Sequence, residues 1–85
     1  MMFEVQFSRD SAKFLKRTQK PLIDRLLQAI RELQQDPFPR EAIKIKGEEN
    51  VFRIRVGAHR ILYEVYPDRQ LVLVVDIDKR GRVYG

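Results

Sequence analysis

The stretch VFRIRVGAHRILYEV, residues 51–65, restricts the fold of this chain more than any other segment. Two runs rich in β-branched and aromatic residues flank Gly57 and Ala58, which is typical of a β-hairpin. Glycine at the first of two loop positions suits a type II′ turn, and a two-residue turn fixes the strand register. The register pairs Val56 with His59, Arg55 with Arg60, Ile54 with Ile61, Arg53 with Leu62, and Phe52 with Tyr63.

The two faces of this hairpin differ sharply in chemistry, because strand side chains alternate between faces. One face is mainly apolar, and we expect it to contribute to the core; its members are Phe52, Ile54, Val56, His59, Ile61 and Tyr63. The other face carries Arg53, Arg55 and Arg60. The pattern therefore predicts a cluster of guanidinium groups on the face that points away from the core.

Placing Arg55 opposite Arg60 costs some tenths of a kcal/mol unless an anion or an acidic neighbour offsets the repulsion. Glu64 lies further along the same face and could be that neighbour, leaving an ordinary solvated basic surface with one salt bridge. Alternatively, the cluster binds phosphate, because arginine forks hold phosphate bidentately and keep their charge. The spacing alone leaves both interpretations open.

The rest of the chain predicts helices first and strands afterwards. Residues 3–7 alternate as a strand, Ser8 is a candidate N-cap with Asp10 in the first turn, and a short amphipathic helix runs to about Gln19. A second helix begins at about Pro21 and ends near Asp36. Further strands are expected over 43–46, 51–56, 59–66 and 71–77, and the LVLVV run at 71–75 indicates a central strand covered on both faces.

This β-α-α-β-β-β-β order predicts an α+β fold, a twisted and mainly antiparallel sheet with the N-terminal helix pair on one face. A length of 85 residues with 44% hydrophobic content supports one domain spanning 1–85. The chain has no cysteine, so disulfides and thiolate metal sites are excluded. A net charge of +5 favours a polyanionic partner. No apolar run approaches the roughly 20 residues of a membrane span, and we expect a soluble, cytoplasmic protein.

Other candidate centres are weaker. His59 is the single histidine and falls on the apolar face, which favours a structural role over that of a general base. Asp76 and Asp78 share a strand face that could hold Mg²⁺, but no third carboxylate is near in sequence, so we expect neither metal nor cofactor. The closing DKRGRVYG, residues 78–85, is either a frayed basic end or part of a functional site.

Together these features resemble the RelE/ParE superfamily of toxins, and the RelE branch in particular. The resemblance spans essentially the whole chain and is carried by the element order, the IKIKG segment, the FRIRVGAHRILYEV hairpin, the LVLVVDI strand and the closing DKRGRVY. It implies a ribosome-dependent endoribonuclease that cuts messenger RNA in the ribosomal A site without a metal ion. A RelB-like antitoxin is the implied protein partner, with no membrane and no small-molecule cofactor.

The resemblance also assigns roles by position. Arg55, Arg60, Arg80 and Tyr84 correspond to the catalytic residues, and RNA contacts are implied for Lys44, Lys46, Arg53, Lys79 and Arg82. The first hairpin strand carries arginines where the best-known members carry lysines, and arginine does not give up its proton. ParE relatives, which inhibit DNA gyrase, share the fold but generally lack this full set. A non-catalytic gyrase inhibitor and a plain RNA-binding module are the alternative functions.

Overall fold

The computed structural model describes residues 2–79 and contains two α-helices and a five-stranded sheet. The elements are β1 (Glu4–Phe7), α1 (Arg9–Arg17), α2 (Lys20–Gln35), β2 (Ile43–Lys44), β3 (Val51–Val56), β4 (His59–Tyr66), a 3-10 turn (Pro67–Arg69) and β5 (Leu71–Lys79). The strands lie in the order β1-β5-β4-β3-β2, with β1 parallel to β5 and all other pairs antiparallel. The predicted α+β fold and element order are confirmed.

The helix pair begins and ends where local chemistry predicts. The Ser8 hydroxyl accepts a hydrogen bond from the Ser11 amide at 3.1 Å, and Asp10 stands in the first turn of α1. Thr18 and Gln19 adopt extended backbone, so α1 ends slightly before the predicted Gln19 and the chain turns into α2. Pro21 lies in the first turn of α2, where its missing N–H costs nothing.

The core lies between the helices and a single face of the sheet. Leu26, Ile30 and Leu33 recur at helical spacing on α2 and are almost completely buried. They pack with the alternate strand residues Ile54, Ile61, Tyr63, Val65, Val72, Val74 and Ile77. Phe14 and Leu15 of α1 border this cluster. The predicted core face of the hairpin is therefore confirmed, and the opposite face of the sheet is left for other contacts.

A β-bulge interrupts the pairing of β4 with β5. Leu62 is opposite Asp76 and Tyr63 is opposite Val74, so Val75 is an extra residue on β5. The Ser8 hydroxyl donates to the Val75 carbonyl at 2.6 Å, and the buried Ser11 hydroxyl donates to the Val74 carbonyl at 2.9 Å. The start of α1 is thus tied to the bulge.

Two strands differ from their predicted extent. β2 is limited to Ile43–Lys44, because the chain turns early: the Glu48 amide donates to the Ile45 carbonyl and Gly47 takes a φ of +85°. β5 continues to Lys79, beyond the predicted Ile77, since it stays paired with β4 as far as His59. β5 is an interior strand, but it is fully covered only on the face of Val72 and Val74. The prediction of complete cover on both faces is wrong.

Candidate functional site

Arg53, Arg55 and Arg60 lie together on the face of the sheet opposite the helices; we call this set the arginine face. The structure confirms the predicted hairpin register, in which Arg55 is directly opposite Arg60. Gly57 has a φ of +61°, and the φ of Ala58 is not positive. A type II′ turn requires this combination. Arg55 is exposed, whereas Arg53 and Arg60 are half-buried. Directly opposite side chains start only about 4.5–5.5 Å apart at Cβ, so Arg55 and Arg60 can converge on one anion.

Carboxylates border the arginine face on the β5 side. Asp78 of β5 is directly opposite Arg60 in the register. Glu64, the neighbour expected from the sequence, lies further from Arg60 along β4. Glu64 instead accepts a hydrogen bond from the Tyr66 hydroxyl, which raises the pKa of Tyr66. Burial, and then the charges of Asp78 and Asp10, raise the pKa of Asp76. Arg60 therefore has an acidic neighbour, but this neighbour is Asp78 of β5 and not Glu64 of β4.

The predicted RNA-contacting lysines do not join the arginine face. Lys44 is opposite Phe52 in the β2–β3 register, which places it on the other face of the sheet from Arg53. Lys46 is exposed in the turn after β2, and Lys79, the last residue of β5, is exposed opposite His59. Arg80, Arg82 and Tyr84 lie outside the described residues.

His59 packs in the manner expected of a structural residue. It is half-buried at the start of β4, and its ring meets that of Phe14 edge-on, with centroids 5.7 Å apart. The contact joins the hairpin to α1 from the helix side of the sheet. His59 is therefore separated from the arginine face by the sheet itself.

A small cavity beside the arginine face was not predicted. It has a volume of about 280 Å³ and is lined by Ile45, Glu48, Val51, Leu62, Glu64 and Val75; we call it the Leu62 cavity. Leu62 is 8% exposed, although it stands opposite Arg53 and outside the main core. A sequence pattern could have indicated this cavity, because strand alternation puts the apolar residues Val51 and Leu62 on a face that is otherwise charged.

A second unpredicted feature is a groove of about 560 Å³ between α2 and the outer edge of β3. Ala29, Leu33 and Ile54 contribute apolar surface to it, and its carboxylates are Asp24, Glu32, Asp36 and Glu41. Arg25 and Arg55 also line the groove, so its carboxylates outnumber its cations and it adjoins the arginine face at Arg55. Within residues 2–79, no group of three potential metal-ligating side chains is found, and no helix is long and apolar enough to cross a membrane.

The fold agrees with comparisons to known proteins. The family described as "ParE toxin of type II toxin-antitoxin system, parDE" matches residues 2–84. The chain is therefore a toxin of the type II toxin–antitoxin class. It belongs to this ParE toxin family, within the RelE/ParE superfamily, and the resemblance seen in the sequence is confirmed.

Individual relatives carry the name of the RelE branch. "Putative toxin RelE1" of Methanocaldococcus jannaschii is 28% identical over 87 residues, covering 99% of this chain and 97% of that protein. A chain of the archaeal RelE–RelB complex from Pyrococcus horikoshii is 28% identical with a TM-score of 0.84, over 96% of this chain and 99% of that chain. The isolated RelE toxin of E. coli shares the fold, with a TM-score of 0.81 at 20% identity over 96% of this chain and 90% of that one.

Proposed function

We propose that this toxin is a ribosome-dependent endoribonuclease that cleaves messenger RNA in the A site and so inhibits translation in the cytoplasm. The observation that carries the proposal is the direct opposition of Arg55 and Arg60 on a sheet face that the helices do not cover. A pair of fixed guanidinium groups suits a phosphate at which negative charge increases during reaction. The RelE names of the 28% identical relatives support the same activity.

The proposed reaction is attack of the RNA 2′-hydroxyl oxygen on the adjacent phosphorus. A 2′-O–P bond forms and the P–O5′ bond breaks, leaving a 2′,3′-cyclic phosphate and a free 5′-hydroxyl. The proton that leaves the 2′-hydroxyl is balanced by the proton that the 5′-oxygen gains. Arg55 and Arg60 stabilise charge on the non-bridging oxygens, while Arg80 assists the departing oxygen and Tyr84 orients the base. Neither arginine accepts a proton, so their contribution is electrostatic.

The ribosome supplies the orientation of the substrate in this proposal. Fixed geometry lowers the activation barrier of a well-positioned reaction by several kcal/mol. A site rich in cations but without an ideal general base can therefore be catalytically competent. Arg53, Lys46 and Arg82 are proposed to contact RNA phosphates. Lys44 and Lys79, which the register places on the other face of the sheet from Arg53, are proposed to contact RNA away from the arginine face. The protein partner is a RelB-like antitoxin, since the Pyrococcus horikoshii relative was crystallised as a RelE–RelB complex.

Cell-free translation followed by primer extension tests the activity. The toxin should create new 5′-hydroxyl ends within ribosome-bound message and leave free message intact. Because no metal ion is part of the proposed step, cleavage by preassembled complexes should survive EDTA to the point where ribosomes dissociate. Recovery of cutting only after metal is restored, with ribosomes shown to be intact, would contradict the metal-independent chemistry.

Inhibition of DNA gyrase is the second candidate, favoured by the match to the ParE toxin family. A supercoiling assay with purified gyrase separates the two functions. Loss of supercoiling without cleavage of message would establish the ParE-like activity in place of the nuclease. In either case expression of the toxin alone should arrest growth, and co-expression with its antitoxin should restore it.

A further inference from the structure

The residues that line the Leu62 cavity bear on which RNA base this toxin recognises. Four of its lining residues are apolar: Ile45, Val51, Leu62 and Val75. The other two are Glu48 and Glu64, and among residues 2–79 no lysine or arginine lines it. The cavity thus offers flat apolar contact together with hydrogen-bond acceptors and no donor from a charged side chain.

Such a lining selects a particular chemistry of ligand. A phosphate group is disfavoured, because carboxylates repel it and no lining cation binds it. A planar ring with N–H groups on its edge is favoured, because ionised carboxylates only accept hydrogen bonds. At about 280 Å³, the cavity lies just below the range of ordinary small-ligand pockets, which suits one base and not a longer group.

The cavity lies next to the groups that are proposed to hold the RNA backbone. Leu62 is opposite Arg53, and Glu64 is opposite Val51, one step further along the same face. Two residues of strand cover roughly 6.6 Å, so the cavity starts within about one nucleotide of the Arg53 backbone position. A phosphate held at the arginine face would therefore present a neighbouring base to the Leu62 cavity.

We propose that the Leu62 cavity is a guanine-binding subsite, in which the Glu64 carboxylate accepts hydrogen bonds from the N1–H and N2–H groups of the base. Guanine carries two adjacent donors on its Watson–Crick edge, whereas uracil has one and adenine has a donor beside an acceptor. This inference rests on the proposed function, because it assumes that RNA lies across the arginine face.

Tyr66 is the positioning residue of this subsite. Its hydroxyl donates a hydrogen bond to Glu64 Oε1 from the next residue on the same face of β4. That bond uses one lone pair of the carboxylate and fixes its plane, while the remaining lone pairs can accept from the base. Fixed acceptors discriminate between bases better than mobile ones, since a mismatched base leaves them unpaired.

A protein side chain is a less suitable occupant. A lysine or arginine from a partner would satisfy Glu48 and Glu64, but it would bring a cation beside Arg53, Arg55 and Arg60. A guanosine nucleotide places a neutral base in the cavity and a negative phosphate at the arginine face. The charge arrangement of the two adjoining regions therefore favours RNA.

NMR titration of the isolated toxin with 3′-GMP, 3′-IMP and 3′-AMP tests the subsite without requiring ribosomes or cleavage. Inosine lacks only the 2-amino group of guanosine, so 3′-IMP is the matched probe. We expect 3′-GMP to shift the amides of Val51, Leu62 and Glu64, and to bind about 5- to 150-fold more tightly than 3′-IMP or 3′-AMP. Equal affinities for the three nucleotides, or shifts confined to the arginine face, would overturn the proposal.

Glu64→Gln should remove the preference for 3′-GMP, because one carboxylate acceptor becomes a donor while the size of the side chain is kept. Glu49→Gln is the control, since Glu49 is an exposed glutamate of the preceding turn and does not line the cavity. Tyr66→Phe should weaken the preference without abolishing binding. If Glu64→Gln does not fold, the affinity ratio measured with the natural chain decides alone.

Failure of this inference can be distinguished from failure of the proposed function. Selective binding of 3′-GMP by a toxin that cuts no ribosome-bound message would leave the subsite standing and remove the nuclease. Cleavage of ribosome-bound message by a toxin that binds the three nucleotides equally would leave the nuclease standing and remove the guanine subsite. Cavity shifts seen only with the antitoxin, and with none of the nucleotides, would identify a protein segment as the occupant and overturn the proposal.

Discussion

Arg55 and Arg60 stand directly opposite each other in the β3–β4 hairpin, on the face of the sheet that the helices leave open. Like charges in this arrangement repel, at a cost of some tenths of a kcal/mol. Asp78, opposite Arg60 on β5, offsets part of that repulsion. The pair is thus tolerated in the absence of substrate, and its full electrostatic benefit is expected when an anion lies between the two guanidinium groups.

Replacing Arg60 by alanine is expected to damage activity and spare the fold. Loss of one preorganised donor to a developing charge lowers the cleavage rate by about 10² to 10³. Stability should change by less than about 1 kcal/mol, because relief of the repulsion from Arg55 compensates for the charge lost beside Asp78. Primer extension on ribosome-bound message and thermal unfolding of the same sample measure both effects.

Ile61→Ala, at the neighbouring residue, is the control. Ile61 is fully buried on the core face, so truncation should cost about 2–5 kcal/mol of unfolding free energy. Below its lowered melting temperature this variant should still cut message. An Arg60→Ala variant that unfolds, or that cuts at the normal rate, would remove the arginine face as the active site.

The salt dependence of RNA binding should report the phosphate contacts of the arginine face. Each phosphate neutralised on single-stranded RNA contributes a slope of about −0.7 to the plot of log affinity against log salt. Arg53→Gln should therefore make the slope shallower by about that amount. Arg31→Gln is the control, because Arg31 lies exposed on α2 and its guanidinium donates to Gln28. A slope that stays the same in Arg53→Gln would contradict a phosphate contact at this residue.

The positive φ of Gly57 limits substitution at this position more than the nearby Arg25 side chain does. Its φ is +61°, and an added Cβ would lie 2.7 Å from Nη2 of Arg25. The Arg25 side chain is exposed at its end and can move away, whereas the positive φ costs an L-residue roughly 1–2 kcal/mol. Gly57→Ala should lose about that much stability, measured by urea unfolding. Combination with Arg25→Ala should not restore it; restoration would show that the contact dominates.

The hairpin was the most predictable part of the molecule, because a two-residue turn with glycine in its first position allows one register and the side chains then alternate. That reasoning placed Arg55 opposite Arg60 and Ile61 in the core. It missed the bulge at Val75, for which the uniform LVLVV run has no glycine or other local mark. The sequence also could not assign Asp78 to Arg60, since pairing between β4 and β5 depends on that bulge.

The candidate site was predicted less completely than the fold. The resemblance grouped Lys44 with the RNA-contacting arginines, but the β2–β3 register puts it on the other face of the sheet. Strand alternation puts the apolar Val51 and Leu62 on the charged face, but the Leu62 cavity also needs Val75 of β5 and the turn before β3, which short-range periodicity does not place. Glu64 illustrates the same limit, because its hydrogen-bonded neighbour Tyr66 competes with any arginine for the same carboxylate.

Tyr63 should make the protein sensitive to alkaline pH. Its ring is fully buried, and its hydroxyl donates to the Pro37 carbonyl at 2.9 Å. Burial, with the nearby charges of Asp36 and Glu41, raises its pKa above the ordinary value of about 10.

The folded state therefore keeps the Tyr63 proton in a pH range where the unfolded chain has lost it, and stability falls as the pH rises above about 10. One such group contributes a slope of up to about 1.4 kcal/mol per pH unit. Tyr63→Phe should lower stability at neutral pH by about 1–2 kcal/mol, since the Pro37 carbonyl loses its donor. Its loss of stability above pH 10 should be correspondingly shallower, whereas Tyr66→Phe, at a less buried ring, should change that slope less. Urea unfolding at pH 8, 10 and 11 measures the difference, and parallel pH profiles for the natural chain and Tyr63→Phe would show that Tyr63 does not retain its proton.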